Sequence, residues 1–403
     1  MNFFKIKKNK IPFGRPLIDK REITSVTKVL KSGIYAHGTV SNAFEKKFCK
    51  FTKAKFSTTV SSCTAGMHLF YFALGIGRGD EVIVPAQTHT ATAHAVELAG
   101  AKPIFVDCDY QTGNIDPKKI EKKITKKTKA ILVVHWAGRI CEMEKIKKIA
   151  KKYNLKIIED SADTIGYTVN NKNLGQYSDI TTNSFYASHI INGAGTGGIV
   201  CFNDFNLYER AKLLRGWGRS SATFNESENA SKRFNVKVSG IDYDAKYIFS
   251  DLGYNFLPSE ISAAFVLQQI KKLKNNISIR NKNFRYLKDF FKDYTEYFKL
   301  PEQNIGVRTA WLAFPLVIKK NKKFNRKKMQ IFFEKRNIQT RTIFTGNILK
   351  QPVMKNRNYK KHKKCDKIAN DVMKNGILLG CHQGMNKSEL KYICSTFKKL
   401  IRE

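Results

Sequence analysis

Two acidic residues, Asp160 and Asp163, follow the short apolar run Lys156–Glu159. If that run is a β-strand, both carboxylates lie near its carboxyl end, where α/β sheets bind their ligands. A buried carboxylate at this place needs a cationic partner, and the protonated nitrogen of a pyridine ring would supply one. The other use of such an Asp is to cap the helix that follows the strand.

A second polar segment, Val60–Gly66, leads into the helical pattern Ala65–Leu74. Backbone amides at the start of a helix, together with the hydroxyl of Thr64, can bind a phosphate group. Ser and Thr are also the commonest helix caps, so this segment alone leaves both functions open.

A third segment, Ser184–Gly198, combines His189 with a glycine-rich run. The glycines resemble a dinucleotide-binding fingerprint, but that fingerprint opens a helix, whereas the β-rich run Gly198–Phe202 follows here. We therefore reject a dinucleotide-binding fold. An imidazole is a competent base at neutral pH, although a histidine in a loop is more often structural.

Short β-rich runs alternate with helical patterns between about residues 20 and 200, which predicts a mostly parallel sheet covered by helices. We assign residues 1–270 to this large α/β domain. The predicted helices are Ala65–Leu74, Ala91–Leu98 and Met143–Tyr153. The predicted strands are Glu81–Pro85, Pro103–Asp107, Ala130–His135, Lys156–Glu159, Thr181–Tyr186 and Gly198–Phe202.

The rest of the chain predicts a smaller C-terminal α/β domain, residues 271–403. An amphipathic helix, Glu260–Lys274, is continued by another long helical stretch, Ile277–Phe298, and the two lead into this domain. Its predicted strands and helices are Leu312–Ile318, Gln339–Thr342, Lys327–Arg336 and Ser388–Leu400.

The composition limits the classes of function. The 403 residues carry 73 Lys+Arg against 33 Asp+Glu, a formal charge of +40. The basic residues are mostly lysines spread along the whole chain, which indicates a compositional bias rather than a nucleic-acid-binding stripe. We read the densest basic run, Lys319–Lys328, as a solvated loop entering a helix.

The cysteines and the apolar runs exclude further classes. Among the eight cysteines the closest pair, Cys381 and Cys394, is 13 residues apart, so the paired spacings of metal sites are absent and we expect no metal. No apolar run is long enough to cross a bilayer, and residues 1–16 lack the apolar core of a signal peptide. We expect a cytoplasmic protein with no membrane partner.

Taken together, motifs along nearly the whole chain resemble the DegT/StrS-type family of PLP-dependent sugar-nucleotide aminotransferases and dehydratases. The resemblance implies the fold-type I PLP-dependent aminotransferase scaffold, α/β in class. The matching motifs are Ser32-Gly33, Val84-Pro85-Ala86, Val134-His135-Trp136-Ala137-Gly138, Glu159-Asp160 and Gly253-Tyr254-Asn255.

Within the family, His189 resembles the branch of nucleotide-linked 4-keto-6-deoxyhexose 3-dehydratases. Aminotransferases of the family have at this position a lysine that binds PLP covalently. Residues 220–231 contain no cysteine, so the chain is similar to the kind that lacks an iron–sulfur cluster, such as GDP-4-keto-6-deoxymannose 3-dehydratase. Further segments that resemble this branch are Arg215–Arg219, Lys232–Phe234, Tyr243–Tyr247, Leu252–Asn255 and Thr340–Asn347.

The resemblance also implies how the cofactor is held. Asp160 pairs with the pyridinium nitrogen, Asp163 lies near the cofactor's 3-hydroxyl, and His89 stacks on the ring where relatives have a larger aromatic residue. Ser184, Thr64 and the backbone at Cys63, where relatives usually have Gly, bind the phosphate. Asn255 reaches the phosphate of the neighbouring subunit, which implies a homodimer with shared sites.

The same resemblance implies a reaction. His189 cannot bind the cofactor covalently, so the cofactor is held noncovalently and works in its amine form, PMP. His189 removes a proton from the cofactor's C4′, and the C3 hydroxyl of the sugar is expelled. A 3,6-dideoxy-4-keto sugar for a surface polysaccharide such as O-antigen results, and L-glutamate regenerates PMP.

Anionic nucleotide-sugar substrates need fixed cations, for which the candidates are Arg219, Arg233, Lys246 and Arg341. Tyr35 and His37 lie where relatives bring an N-terminal loop toward the sugar. Each of these six residues could instead be an ordinary surface residue.

Two other functions stay open. An aminotransferase would need another lysine, but no lysine occurs between Asn173 and Lys212. A noncatalytic paralogue that binds a nucleotide-sugar is the other alternative.

Overall fold

A seven-stranded sheet forms the centre of the protein in a computed structural model that describes residues 10–36, 38–173, 175–223, 230–355, 357, 359 and 366–403. The order of its strands is β1-β7-β6-β5-β4-β2-β3. Strands β2 to β6 pair in parallel, and β7 is antiparallel to both β6 and β1. The strands are β1 Phe56–Val60, β2 Glu81–Pro85, β3 Lys102–Val106, β4 Thr128–Val134, β5 Lys156–Asp160, β6 Ile180–Ser184 and β7 Gly198–Phe202.

Helices cover both faces of this sheet, as the apolar character of its strands requires. Successive residues of β2 alternate between the two cores: Val82 and Val84 pack in one hydrophobic cluster and Ile83 in the other. The helices of this part are α1 Lys20–Ser32, α2 Thr39–Thr52, α3 Cys63–Ala73, α4 Thr90–Leu98, α5 Met143–Lys152 and α6 Phe205–Arg215, with short helical turns at Pro117–Ile120 and Ala230–Arg233.

All six predicted strands are present, and the bounds of β2 and β7 agree with the prediction. The predicted strand Thr181–Tyr186 ends two residues early, at Ser184, because the chain turns after Phe185 toward His189. Strand β1, which pairs with β7, was not predicted. Its sequence, Phe-Ser-Thr-Thr-Val, lacks the alternation of apolar and polar residues that marks a strand.

A single long helix, α7 (Glu260–Phe291), replaces the two helices predicted for residues 260–298. Asn275 and Asn276, between the two predicted helices, do not interrupt it. The helix stops at Phe291, and residues 298–299 already belong to a strand, so the predicted end at Phe298 was wrong.

The predicted domain boundary at residues 270/271 falls inside α7. Val266, Ile270 and Leu273 pack with α2 in one core, whereas Phe284 and Leu287 pack in the C-terminal core. Helix α7 therefore contributes to both cores, and the division into two domains remains our proposal.

The C-terminal region is built on an antiparallel four-stranded sheet of order β8-β9-β11-β10. Strands β8 and β11, which flank the predicted strand β9, were not predicted. The strands are β8 Phe298–Lys299, β9 Ala313–Ile318, β10 Thr340–Arg341 and β11 Gly376–Gly380; the helices are α8 Arg326–Lys335, α9 Lys367–Asn375 and α10 Lys387–Arg402.

Smaller pieces complete the fold. Thr168–Val169, Lys172–Asn173 and Val307–Arg308 form a three-stranded sheet, and Val236–Val238 pairs with Ile241–Tyr243 in a hairpin. Among the residues described, no helix combines the length and the apolar character needed to span a membrane. The same residues contain no cluster of three or more His, Cys, Asp or Glu side chains suited to a metal ion.

Candidate active site

Asp160 lies at the carboxyl end of β5, in the middle of the large sheet, and is only 3% exposed. Its Oδ2 accepts a hydrogen bond from Thr92 Oγ1 at 2.8 Å, and its Oδ1 accepts one from the amide of Ala162 at 3.1 Å. Burial raises the pKa of Asp160, because its charge is removed from water. A hydroxyl and an amide fix the carboxylate without neutralising it, so a bound cation fits here.

Asp163 is a second buried carboxyl group of the same loop. Its Oδ2 accepts a hydrogen bond from the amide of Ala137, which follows β4, at 2.7 Å. Burial, reinforced by the nearby charge of Asp160, raises the pKa of Asp163 to about 7. Near neutral pH this side chain can therefore either donate or accept a hydrogen bond.

His189 lies in the turn that follows β6. The turn is closed by a hydrogen bond from the His189 amide to the carbonyl of Tyr186, 3.0 Å long, and the two rings are 6.3 Å apart, edge to face. Burial lowers the pKa of His189 to about 4, so the imidazole is neutral at pH 7. Its Nδ1 is buried without a hydrogen-bond partner among the described residues. The side chain therefore has the protonation state of a base.

The start of α3 is held close to β7. Ser62 caps the helix by accepting a hydrogen bond from the Ala65 amide at 3.0 Å, so the amides of Cys63 and Thr64 in the first turn have no partner within the helix. A Cβ atom at Gly198 would lie 2.5 Å from the nitrogen of Cys63, so this strand position requires glycine. Ser184 pairs with Gly198 in the sheet, which brings its side chain to the same place.

The side chains in this region differ in their access to a ligand. The thiol of Cys63 is buried, 3.4 Å from Thr182 Oγ1, and burial raises its pKa well above the usual range. Only the backbone of Cys63 is thus available to a phosphate. Thr64 is exposed, and Ser184 Oγ accepts a hydrogen bond from the Tyr186 amide at 3.3 Å.

His89 caps α4, since its Nδ1 accepts a hydrogen bond from the Ala91 amide at 3.2 Å. The ring is exposed and lies 6.4 Å from the ring of Phe344. Thr345 Oγ1 donates to the carbonyl of Thr88 at 2.5 Å, so a C-terminal segment covers the carboxyl end of β2. A capping role leaves the imidazole ring of His89 available for stacking.

The four candidate cations differ in their partners. Arg233 forms a two-pronged ion pair with Asp244, with Nε 2.7 Å from Oδ1, and the amide of Lys246 donates to the same carboxylate. The guanidinium of Arg219 lies 5.1 Å from the centre of the Trp217 ring. Arg341 is exposed and donates to the carbonyl of Thr340 at 2.8 Å.

The remaining candidates lie around the edge of the site. Tyr35 is exposed, and its hydroxyl donates to the carbonyl of Leu30 at 3.2 Å; His37 lies outside the described residues. Asn255 is also exposed. The next residue, Phe256, accepts a hydrogen bond at its carbonyl from the amide of Ser61 at 2.9 Å, which places Asn255 beside the segment that leads into α3.

The structure thus gathers Asp160, Asp163, His189 and the start of α3 at one edge of the sheet, while Arg233 is engaged by Asp244. Three residues without a predicted role contact this group: Thr92, Ala137 and Tyr186. A fourth, Phe344, lies beside His89. Thr92 lies in the first turn of the helix that His89 caps, but no local pattern relates it to Asp160, 68 positions further along the chain.

Comparison with known proteins gives a consistent family assignment. Residues 16–398 match the model of the "DegT/DnrJ/EryC1/StrS aminotransferase family". The lipopolysaccharide biosynthesis protein RfbH of Salmonella typhimurium is 31% identical, over 96% of this chain and 91% of its own. The GDP-perosamine synthase of Escherichia coli O157:H7 is 32% identical, over 96% and 98%. The GDP-4-keto-6-deoxy-D-mannose 3-dehydratase of Escherichia coli O55:H7 is 31% identical, over 96% and 99%.

Solved structures share the whole fold. A histidine-to-asparagine variant of GDP-4-keto-6-deoxymannose-3-dehydratase with bound GDP-perosamine superimposes with a TM-score of 0.86 at 30% identity, over 96% of this chain and 99% of the other. The same enzyme with a trapped PLP-glutamate geminal diamine has a TM-score of 0.85 at 29% identity, with the same coverage. Both similarities therefore cover the large sheet as well as the C-terminal region.

Proposed function

Because the chain belongs to the DegT/DnrJ/EryC1/StrS aminotransferase family, we propose that it removes the C3 hydroxyl of a nucleotide-linked 4-keto-6-deoxyhexose. The cofactor is pyridoxal 5′-phosphate, as the family and the solved relatives indicate. One observation carries the proposal: His189, a neutral imidazole, occupies the turn after β6 where an aminotransferase of the family has its lysine.

The residues present fit this cofactor. Asp160 is a carboxylate whose pKa is raised by burial, and the ring nitrogen would supply a cationic partner for it. The amides at the start of α3, the hydroxyl of Thr64 and Ser184 would bind the phosphate. Asp163 and His89 would contact the ring from the loops after β5 and β2.

The amine form of the cofactor, when bound, would supply the amine that joins the C4 ketone and the electron pair that expels the neighbouring C3 hydroxyl. His189 would remove the proton that starts this elimination, and its low pKa keeps it ready to accept one at pH 7. Asp160 would keep the ring nitrogen protonated. A lysine at position 189 would instead hold the cofactor covalently, and the region from residue 174 to 211 contains none.

The substrates follow from the same relatives. One solved relative carries GDP-perosamine and another a PLP-glutamate adduct, which supports a nucleotide-sugar and L-glutamate as the two substrates. Similarity to RfbH supports a place in the biosynthesis of a surface polysaccharide. Arg219, Lys246 and Arg341 are the proposed contacts to the anionic groups of the substrates.

We also propose a homodimer. Several apolar side chains between residues 217 and 254 are exposed in the isolated chain, an arrangement typical of a protein–protein interface. They flank Asn255, for which the family resemblance implies a contact to the partner's phosphate site. The group includes Trp217, Ile241, Tyr243, Tyr247, Phe249, Leu252 and Tyr254.

A sugar-nucleotide aminotransferase is the second candidate, favoured by the 32% identity to GDP-perosamine synthase. Incubation with PLP, L-glutamate and a GDP- or CDP-linked 4-keto-6-deoxyhexose separates the two. We expect a product that is one oxygen atom lighter than the substrate, with release of ammonia and 2-oxoglutarate. A product that keeps the C3 oxygen and gains an amine nitrogen would establish the aminotransferase instead.

A further inference from the structure

The first turn of α7 is tied to the loop between α1 and α2. Glu260 is 2% exposed, and its carboxylate accepts hydrogen bonds from the amides of Gly38 and Val40 at 2.9 Å and of Ser41 at 2.8 Å. The hydroxyl of Ser41 donates to it as well. Gly38 is the N-cap of α2 and has no side chain, so a carboxylate more than 200 residues away in the chain caps this helix.

The position of Glu260 suits a negative charge. It occupies the first turn of α7 while it caps the first turn of α2, so the positive ends of two helix dipoles face it. Its own amide donates to the carbonyl of Tyr35 at 2.9 Å. A Cβ atom at Gly38 would lie 3.1 Å from Glu260 Oε2, so the close approach of the carboxylate depends on glycine.

The same turn of α7 is tied to the loop that follows His189. Ser262 Oγ donates to the carbonyl of Gly193 at 2.7 Å and lies 3.1 Å from the carbonyl of Thr196. Thr196 Oγ1 in turn donates to the carbonyl of Ser61, just before α3, at 2.8 Å. The first turn of α7 thus contacts both the α1–α2 loop and the glycine-rich loop. Through Thr196, the glycine-rich loop in turn contacts the segment that leads into the proposed phosphate site.

We propose that Glu260 and Ser262 are positioning residues. They couple the α1–α2 loop, which contacts the substrate, to the glycine-rich loop that follows His189. The inference rests on the proposed function, in which His189 removes the proton, and on the family resemblance, which implies that Tyr35 lies near the sugar. Occupation of the α1–α2 loop by a nucleotide-sugar stabilises the first turn of α7, and this turn fixes the glycine-rich loop behind His189. Neither residue touches the reacting atoms.

The two substitutions Glu260→Gln and Ser262→Ala have different expected effects. Glu260→Gln removes the charge from the α2 cap, so the KM for the nucleotide-sugar should rise about tenfold, and kcat should fall several-fold because the second loop loosens too. Ser262→Ala should lower kcat about tenfold while KM changes less than about twofold. Glu296→Gln, an exposed carboxylate in the turn after α7, is the matched control.

Hydrogen exchange measured by mass spectrometry on the PLP-loaded full chain provides the test that is independent of turnover. Glu260→Gln should speed exchange in residues 33–41 and also in residues 190–197, while β4 exchanges as in the native chain. GDP, used as the probe ligand, should bind this variant more weakly. Glu296→Gln should change none of these. Gly38→Ala, which crowds the same carboxylate, replaces Glu260→Gln if that variant fails to fold.

The outcomes separate this inference from the proposed function. Faster exchange confined to residues 33–41, with native kcat, would show that Glu260 is only a helix cap and would overturn the coupling. Faster exchange that includes β4 would show a general loss of stability and would overturn it equally. If the native chain turns over none of the proposed substrates, the exchange result still decides the coupling, and the proposed function alone has failed.

Discussion

His189 and Asp160 have opposite electrical requirements. The imidazole of His189 is neutral because burial lowers its pKa. Burial raises the pKa of the Asp160 carboxylate and so favours its protonation. A cationic ring nitrogen held by Asp160 would relieve the second condition without disturbing the first. The residue pair is therefore suited to a cofactor that is positively charged at its ring and attacked by a neutral base.

Asp160→Asn should weaken the binding of PLP about a hundredfold, because the loss of one partner from a buried charge pair costs about 3 kcal/mol. The amide oxygen of Asn can still accept the hydrogen bond from the Ala162 amide, and its NH2 group can donate to the hydroxyl of Thr92, so the fold should survive. Titration of the apoprotein with PLP, followed by absorbance, measures the effect. Asp293→Asn, at an exposed carboxylate, should bind PLP like the native chain; equal affinity in Asp160→Asn would remove Asp160 from the site.

Asp163 should make the apoprotein less stable as the pH rises. Its pKa is about 7 in the folded chain against 3.8 in the unfolded chain, so between these values the folded state binds the proton more strongly. The free energy of unfolding therefore falls through this window, by on the order of 2–4 kcal/mol. Asp163→Asn removes this dependence.

Thermal melts of the native apoprotein and of Asp163→Asn at pH 5 and pH 8 test that dependence. The stability of Asp163→Asn relative to the native chain should be greater at pH 8 than at pH 5. His189 titrates in both proteins and contributes in the opposite direction, since its lowered pKa makes stability rise between about pH 4 and 6.5, so its effect cancels in the difference. A constant difference would contradict the raised pKa of Asp163.

At the residue scale, the sequence allowed roles to be assigned where a motif fixes a position on a strand end. Asp160, the last residue of β5, is the example, and His189 follows in the turn after β6. It could not show which cation is already engaged: Arg233 was a candidate for substrate binding, but Asp244, eleven positions away, holds it in an ion pair. Nor could it show Thr92 as the donor to Asp160, because that contact joins residues 68 positions apart.

At the scale of elements, the site depends on how closely β7 approaches the start of α3. Gly198→Ala should destabilise the protein by about 3 kcal/mol, because the added methyl would meet the backbone of Ser62 and Cys63 and not a movable side chain. PLP affinity should fall with it. Urea unfolding measures the loss, and Gly77→Ala, where the nearest atom is 3.5 Å away, is the control. Similar stability of the two variants would refute the close packing.

The elements that sequence patterns predicted well are the buried strands of the parallel sheet, such as β2, whose residues are apolar along their whole length. Strand β1 was missed because three of its five residues are Ser or Thr, and it is defined by its pairing with β7. Helix α7 was predicted as two helices because its buried face changes near Asn275, which looks like an interruption in the sequence. The change instead marks where the helix passes from the core that it shares with α2 to the C-terminal core.

At the scale of the whole molecule, the exposed apolar surface between residues 217 and 254 predicts a dimer. Leu252 is 90% exposed in the isolated chain, so Leu252→Glu should shift the protein toward monomers by placing a charge in the interface. PLP should be retained less well, because Asn255 would no longer reach the partner's site. Light scattering after size-exclusion chromatography measures the mass, and Ile305→Glu, at a fully exposed residue elsewhere, is the control. A native chain that is monomeric would contradict the dimer.

The arrangement of the whole chain could be predicted only in outline. The α/β class and the mostly parallel sheet could be predicted from the order of elements, but the contact between Thr345 and the end of β2 joins residues 257 positions apart. Contacts of this kind close the site, and they depend on packing that no local pattern records.

The central claim is that His189 replaces the lysine that would bind the cofactor covalently, and one measurement tests it most directly. The purified protein is incubated with PLP, reduced with borohydride and weighed by mass spectrometry, beside the variant His189→Lys. We predict no covalent adduct on the native chain and one PLP per chain on the variant, attached at position 189. A stoichiometric adduct on a lysine of the native chain would contradict the account and make the protein an aminotransferase.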